Sequence, residues 1–256
     1  MRNGLQAGTV TLKGADGAEI EAYAAYPVDG DSPTTQAGKH GGVVVIHHMP
    51  GYDEASKEIV RKFASWGWSA ICPNLHFRDA PGADSDDAAA ASRAAGGVPD
   101  DRLIGDVAAA ATYLREQSDS NGKVATIGFC SGGRQSVLAG TAVPLEAVVD
   151  CYGAFVLSRP APESGMSVTS LEDRLPNLAA PVLGLFGAED QYPAPEEVAR
   201  LDAMLTELGK EHEFHTFEDA GHAFFAVDRP AYRQPAAAEG WRLVREFLGR
   251  HLGGDA

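Results

Sequence analysis

The stretch from Lys123 to Gly133 constrains this chain more than any other. The β-type run Val124-Ala125-Thr126-Ile127 breaks into Gly128-Phe129-Cys130-Ser131-Gly132-Gly133 and then into the helix-compatible Gln135-Ser136-Val137-Leu138-Ala139. Glycines on either side of Cys130 fit a sharp strand-to-helix turn, where the chain passes so close to itself that side chains at 128 and 132 would clash. Such a turn lifts the central side chain clear of the sheet. It also leaves the first amides of the helix unpaired beside that side chain, a place that suits negative charge. Ser131 is a nucleophile type too, but a turn centred on it would need glycine where Phe129 stands. Cys130 is therefore the better-placed nucleophile, although a cysteine here is also compatible with a small buried hydrophobe packed on the glycine pair.

The rest of the chain repeats the strand-then-helix unit. Val10, Leu12, Ile20, Ala22 and Tyr26 around Gly14-Ala15-Asp16-Gly17 read as an antiparallel hairpin, followed by a polar surface excursion up to Gly42. Gly42-Val43-Val44-Val45-Ile46 has the continuous β-branched character of a strand buried on both faces. It ends in the loop His47-His48-Met49-Pro50-Gly51, at the strand end where open α/β sheets bind ligands. Ile59, Val60, Phe63 and Trp66 mark a helix, Ser69 to Cys72 a strand, and residues 79–97 a loop with at most a weak helical turn. Leu103, Ile104, Val107, Ala111 and Leu114 share a helix face that Asp100 or Asp101 can cap. Strands follow at 147–151, 181–186 and 213–217, with a Pro/Ser-rich excursion at 157–180. Helices carry Val198, Leu201, Leu205 and Leu208, and finally Trp241, Val244, Leu248 and Leu252. This order predicts an α/β fold: a mostly parallel central sheet with helices on both faces and an N-terminal antiparallel hairpin, one domain over 1–256.

At 256 residues and 44% hydrophobic content, the chain is long enough for one large core. No basic segment followed by an apolar stretch opens it, and no run approaches the roughly 18 apolar residues of a membrane span. Cys72, Cys130 and Cys151 are an odd number without metal-type spacing, which fits a reducing, cytoplasmic setting and suggests neither a disulfide framework nor a zinc site. A net charge of -15 argues against nucleic acid or an anionic membrane as partner.

Asp190 and His222, like Cys130, fall just beyond the carboxyl ends of expected strands, so a parallel sheet would gather all three at one edge. Their order, nucleophile then acid then histidine, is that of α/β-hydrolases. Imidazole can take a thiol proton near neutral pH, and a carboxylate fixes its tautomer and stabilises the cation. Each has a plainer alternative: His222 as a satisfied loop histidine, Asp190 as a helix cap ahead of Pro193, with Glu189 a second possible orienter. Among eight histidines, His222 in the loop after Gly221 is the best placed. An oxyanion site would then use the backbone N–H groups of Ser131 and of Met49.

Through these residues the chain resembles the dienelactone hydrolase family, whose members are α/β-hydrolases with a Cys-His-Asp triad. The matching stretches are Gly128 to Gly133, Pro73-Asn74-Leu75 with Arg78-Asp79-Ala80-Pro81-Gly82, Ser120 to Val124, Gly187 to Asp190, and Gly221-His222-Ala223-Phe224. The resemblance implies Cys130 as nucleophile, His222 as base, Asp190 as its orienter, and Arg78 as an arginine that contacts a substrate carboxylate. Two positions depart from the family pattern. His48 stands where the family often has a glutamate that interacts with the thiol, and Ala226 stands where a second carboxylate-binding arginine follows the histidine, with Arg229 nearby. An imidazole at 48 would favour the Cys130 thiolate more than a carboxylate would.

The resemblance implies hydrolysis of a small-molecule ester or lactone through an acyl-thioester, with no metal or organic cofactor. A non-hydrolytic protein on the same scaffold, with Cys130 as a ligand-binding or oxidant-sensing thiol, is the alternative.

Overall fold

The computed structural model describes residues 4–28 and 39–253; most of the polar excursion expected before Gly42 lies outside them. Its centre is an eight-stranded sheet. The strands are β1 (Leu5–Lys13), β2 (Glu19–Pro27), β3 (His40–Ile46), β4 (Ser69–Pro73), β5 (Ser120–Phe129), β6 (Ala147–Cys151), β7 (Val182–Gly187) and β8 (His212–Phe217). They lie in the order β1-β2-β4-β3-β5-β6-β7-β8. β1 and β2 form the antiparallel hairpin, β2 pairs antiparallel with β4, and every later pairing is parallel.

Among the described residues six α-helices cover the sheet: α1 (Glu54–Ser65), α2 (Ser85–Ala94), α3 (Asp100–Arg115), α4 (Ser131–Gly140), α5 (Pro195–Glu207) and α6 (Gln234–Leu252). The run Val43–Ile46 shows why helices must lie on both faces. Successive strand side chains point to opposite sides, and all four of these are fully buried. Val44 and Ile46 pack with Leu103, Val107 and Leu114 of α3, Val137 and Leu138 of α4, and Leu201 and Leu205 of α5. Val43 and Val45 pack with Val60 and Phe63 of α1 and Val244, Phe247 and Leu248 of α6. No described helix is long and apolar enough to cross a membrane.

Two local expectations are corrected. Residues 79–97 are not merely a loop, because α2 occupies ten of them. Asp84 caps it, its carboxylate accepting from the amides of Asp86 (3.0 Å) and Asp87 (2.9 Å). Its alanines supply high helix propensity without the large apolar residues that make a helix visible as periodicity. Helix α3 is capped by neither Asp100 nor Asp101: its N-cap is Pro99, and both acids lie in the first helical turn. Asp100 is engaged elsewhere, accepting from the Arg134 guanidinium at 3.1 and 3.3 Å.

The turn between β5 and α4 places Cys130 at φ 56° and ψ -121°, a positive-φ conformation rare for a residue with a side chain. Close approach on both sides holds it there. A Cβ on Gly128 would lie 1.8 Å from the Gly132 carbonyl oxygen, and one on Gly132 would lie 2.2 Å from the Ile46 carbonyl oxygen. These obstacles are backbone atoms and cannot rotate away. Gly128→Ala is expected to destabilise the fold by about 3 kcal/mol, the upper end of overpacking effects, as measured by urea unfolding. Unchanged stability would mean that the turn tolerates separation of its two arms.

Candidate active site

The parallel strands end at one edge, and the loops leaving β3, β5, β7 and β8 meet there. Asp190 follows β7 and His222 follows β8, and the two loops are tied together by the Glu189 amide donating to the Ala220 carbonyl at 2.9 Å. His222 Nδ1 lies 2.9 Å from Asp190 Oδ2. Asp190 is 4% exposed, and its other oxygen accepts from the Tyr192 amide at 2.8 Å, so the carboxylate is fixed at both oxygens. Glu189 is exposed and points to no such partner. His222 and Cys130 line the same cavity. Burial alone would make its imidazolium less stable, but hydrogen bonds to Asp190 and Cys130 outweigh this and raise it from 6.5 to about 10. The Tyr152 ring packs edge-on against it, with centroids 5.2 Å apart. Imidazole and carboxylate are thus hydrogen-bonded beside the cavity onto which the thiol opens.

Cys130 opens onto two cavities. One of about 240 Å³ is lined by His222, Phe129, Tyr152, Ile59, Phe225 and Trp241, among others. The second, about 190 Å³, includes Ser131, Arg93, Arg134, Gln135, Phe155 and Met166. Met49 and Cys130 line both. The Ser131 amide opens α4, where helix geometry leaves it without an intrahelical acceptor.

The two positions inferred to bind or tune behave differently from expectation. Arg78 is not brought to either cavity. It makes a bidentate pair with the fully buried Asp106 (2.7 and 2.8 Å) and reaches the Ala15 carbonyl at 3.3 Å, pinning the β1–β2 turn to α3. A buried carboxylate without that partner would be strongly unfavourable, so this guanidinium is committed to the fold. His48 does line the first cavity, as do Ala226 and Arg229. Its Nε2 lies 3.3 Å from Asp53 Oδ2, with the Arg229 guanidinium 3.5 Å away. Burial would raise Asp53, but hydrogen bonds from His48 and from the Ser56 amide and hydroxyl hold it well below the usual carboxylate range. The His48 imidazole therefore faces Asp53, whereas Asp190 holds His222.

His47 has a part that its sequence position does not disclose. It is buried, with Nδ1 2.8 Å from the His48 carbonyl oxygen and Nε2 3.2 Å from the Leu75 amide. A carbonyl can only accept and an amide N–H can only donate, so the ring is neutral with its proton on Nδ1. The His48 carbonyl belongs to the same trans peptide as the Met49 N–H, so fixing one fixes the opposite direction of the other. The only signal in the sequence is a pair of histidines at a strand end, where alternation sends one inward.

Such a sheet, with its sharp turn presenting a thiol to a histidine and a buried carboxylate at the carboxyl ends of the strands, defines an α/β-hydrolase. The chain belongs to the dienelactone hydrolase family, whose model matches residues 21–252. It is 30% identical over 252 residues to a Methylorubrum extorquens protein provisionally named carboxymethylenebutenolidase, covering 97% of this chain and 82% of that one. It is 26% identical over 248 residues to the carboxymethylenebutenolidase of Pseudomonas putida, covering 93% and 94% of the two chains. Among solved structures, a Klebsiella pneumoniae protein provisionally described as a dienelactone hydrolase superposes with a TM-score of 0.83 at 26% identity, covering 96% of this chain and 99% of that one.

The neutral state of His47 gives the site a pH limit. Burial, with the nearby His76 adding to it, lowers His47 from 6.5 to about 3, and burial lowers His76 to about 4. Below about pH 6.5 the unfolded chain takes up protons that the native state refuses, so stability falls as pH falls towards 3. Above that range the contribution is fully present. His47→Gln should remove one of these two protons, and urea unfolding at about pH 5 and pH 7 should show a smaller difference than in the wild type. An unchanged difference would mean that His47 is not neutral in the fold.

Proposed function

We propose that this chain hydrolyses a small carboxylic ester or lactone through a covalent thioester at Cys130. The observation that carries this reading is the His222–Asp190 hydrogen bond of 2.9 Å beside Cys130, which its positive-φ turn presents to the same cavity as His222. His222 takes the thiol proton as the sulfur attacks, and Asp190 stabilises the resulting cation. The sulfur attacks the substrate carbonyl carbon, and the carbonyl electrons move to oxygen, facing the N–H groups of Met49 and Ser131. As the intermediate collapses, the carbon–oxygen bond to the alcohol breaks and His222 protonates the departing oxygen.

The acyl group then remains on sulfur. Neutral His222 takes a proton from water, the hydroxyl adds to the thioester carbonyl, and collapse returns the electron pair to sulfur with release of the acid. His47 serves this step indirectly by holding the His48–Met49 peptide. Membership of the dienelactone hydrolase family and the carboxymethylenebutenolidase names of relatives support ester or lactone chemistry. With Arg78 committed to Asp106, a substrate carboxylate must find its cation elsewhere.

Hydrolysis of 4-nitrophenyl acetate, followed by release of the phenol, tests this directly. Cys130→Ala is expected to reduce kcat/KM by at least about a thousandfold, as loss of a nucleophile does in related machinery. Activity within about tenfold of the wild type would sink the mechanism.

A further inference from the structure

Beneath the turn that carries Cys130 lies a carboxyl group that the reaction above does not use. Asp150, in β6, is 1% exposed. It is wedged between the first turn of α4 and Gly153. A Cβ on Gly133 would lie 2.3 Å from Asp150 Oδ1, and one on Gly153 would lie 2.3 Å from the same oxygen and 2.6 Å from the Arg134 backbone nitrogen. Oδ1 accepts from the Gly153 amide at 2.7 Å, whereas Oδ2 is buried without a hydrogen-bond partner. The Gly153 bond closes a turn that reaches both Cys130 and His222. Within it the Cys151 carbonyl accepts from the Cys130 amide at 3.1 Å, and the Tyr152 amide donates to the Leu185 carbonyl at 2.9 Å. Tyr152 has φ 44°, a conformation that a residue with a side chain holds only where its surroundings impose it, and its ring is the one packed edge-on against His222.

A carboxyl group held out of water by one amide is poorly supported as an anion. The groups that face it supply no cation. Glu197 of α5 is itself an acid, accepting from the Leu157 and Ser158 amides at 2.9 and 3.1 Å and from the Ser158 hydroxyl at 2.6 Å. Arg134 of α4 turns its guanidinium to Asp100 and to the Thr169 carbonyl. The partners of Asp150 on β5 and β7 are Gly128 and Gly184, which bring no side chain. Burial holds the adjacent Cys151 and Tyr152 well above their ordinary ranges, so both are uncharged. Burial, with Glu197 adding to it, raises Asp150 to about 7 against the pull of the Gly153 hydrogen bond. An anion here would also stand against the opening turn of α4, whose positive end favours negative charge at Cys130. The neutral acid does not compete for that end.

Resting on the acyl-enzyme reading above, we infer that Asp150 is a positioning residue: as an uncharged carboxylic acid it sets the turn that carries Tyr152 onto His222, and it fills the seam under α4 without opposing the negative charge that develops at Cys130.

Asp150→Asn copies the neutral acid in shape, and Asp150→Ala removes the turn bond. With 4-nitrophenyl acetate, Asp150→Asn is expected to match the wild-type kcat/KM at about pH 6 and to exceed it severalfold by about pH 8.5, where the wild type carries the anion. Groups that titrate in both proteins, Cys130 and His222 among them, cancel in this ratio. Asp150→Ala should lower kcat about tenfold or more with KM nearly unchanged, as misplaced groups do. Stability reads the proton separately. Between about pH 4 and pH 7 the native state keeps a proton that the unfolded chain gives up, so this acid lowers stability as pH rises. The urea midpoint of Asp150→Asn should therefore gain on that of the wild type between about pH 5 and pH 8. A pH-independent activity ratio, or an Asn variant as slow as the Ala variant at about pH 6, would overturn the uncharged role. An Ala variant with wild-type kcat would overturn the positioning role. No cleavage by the wild type at any pH would overturn the acyl-enzyme reading and with it the role of Asp150 in turnover, whereas a urea midpoint that gains nothing would overturn the neutral acid alone.

Discussion

The site depends on a backbone contact that admits no side chain. Gly128 and Gly132 close on each other around Cys130, and Gly132 also presses on the end of β3. That closeness forces Cys130 into its positive-φ conformation, aims α4 across the sheet, and brings the β3 loop with Met49 beside the sulfur. Parallel strands supply the rest. Because β3, β5, β7 and β8 run in the same direction, loops far apart in sequence end at one edge.

Charge is organised around this edge in two ways. Several arginines are structural: Arg78 on Asp106, Arg102 on Asp79 and Arg134 on Asp100 hold loops and helices in place and have little left to offer a ligand. At the site, by contrast, the Asp190 carboxylate is fixed at both oxygens, one of them on the His222 imidazole. The buried neutral His47 adds a third device, a ring that orients a peptide without carrying charge.

What could be read from the chain followed from how local each signal is. The turn at Cys130 was legible because glycine spacing reports backbone geometry directly. Asp190 and His222 were legible because strand direction fixes where loops emerge, and the structure brings both within hydrogen-bonding range of one another. Val43–Ile46 disclosed a strand buried on both faces. Arg78 misled because its partner Asp106 lies on another element, and a motif does not say whether a guanidinium faces ligand or protein. Helix α2 escaped because alanines carry propensity without periodicity. The division of labour between His47 and His48 depends on which way the strand end turns, and the cavities depend on rings delivered by α6 and the loop after His222. None of these is encoded within a short window.

The central claim is that the Cys130 sulfur carries the acyl group during turnover. Acid quenching of the enzyme during hydrolysis of 4-nitrophenyl acetate, followed by intact-mass measurement and peptide mapping, observes that species directly. Turnover through this sulfur leaves one acetyl group per chain, located on the peptide containing Cys130 and removed by hydroxylamine. An unmodified Cys130 peptide, with the acetyl group on Ser131 or absent throughout turnover, would contradict it.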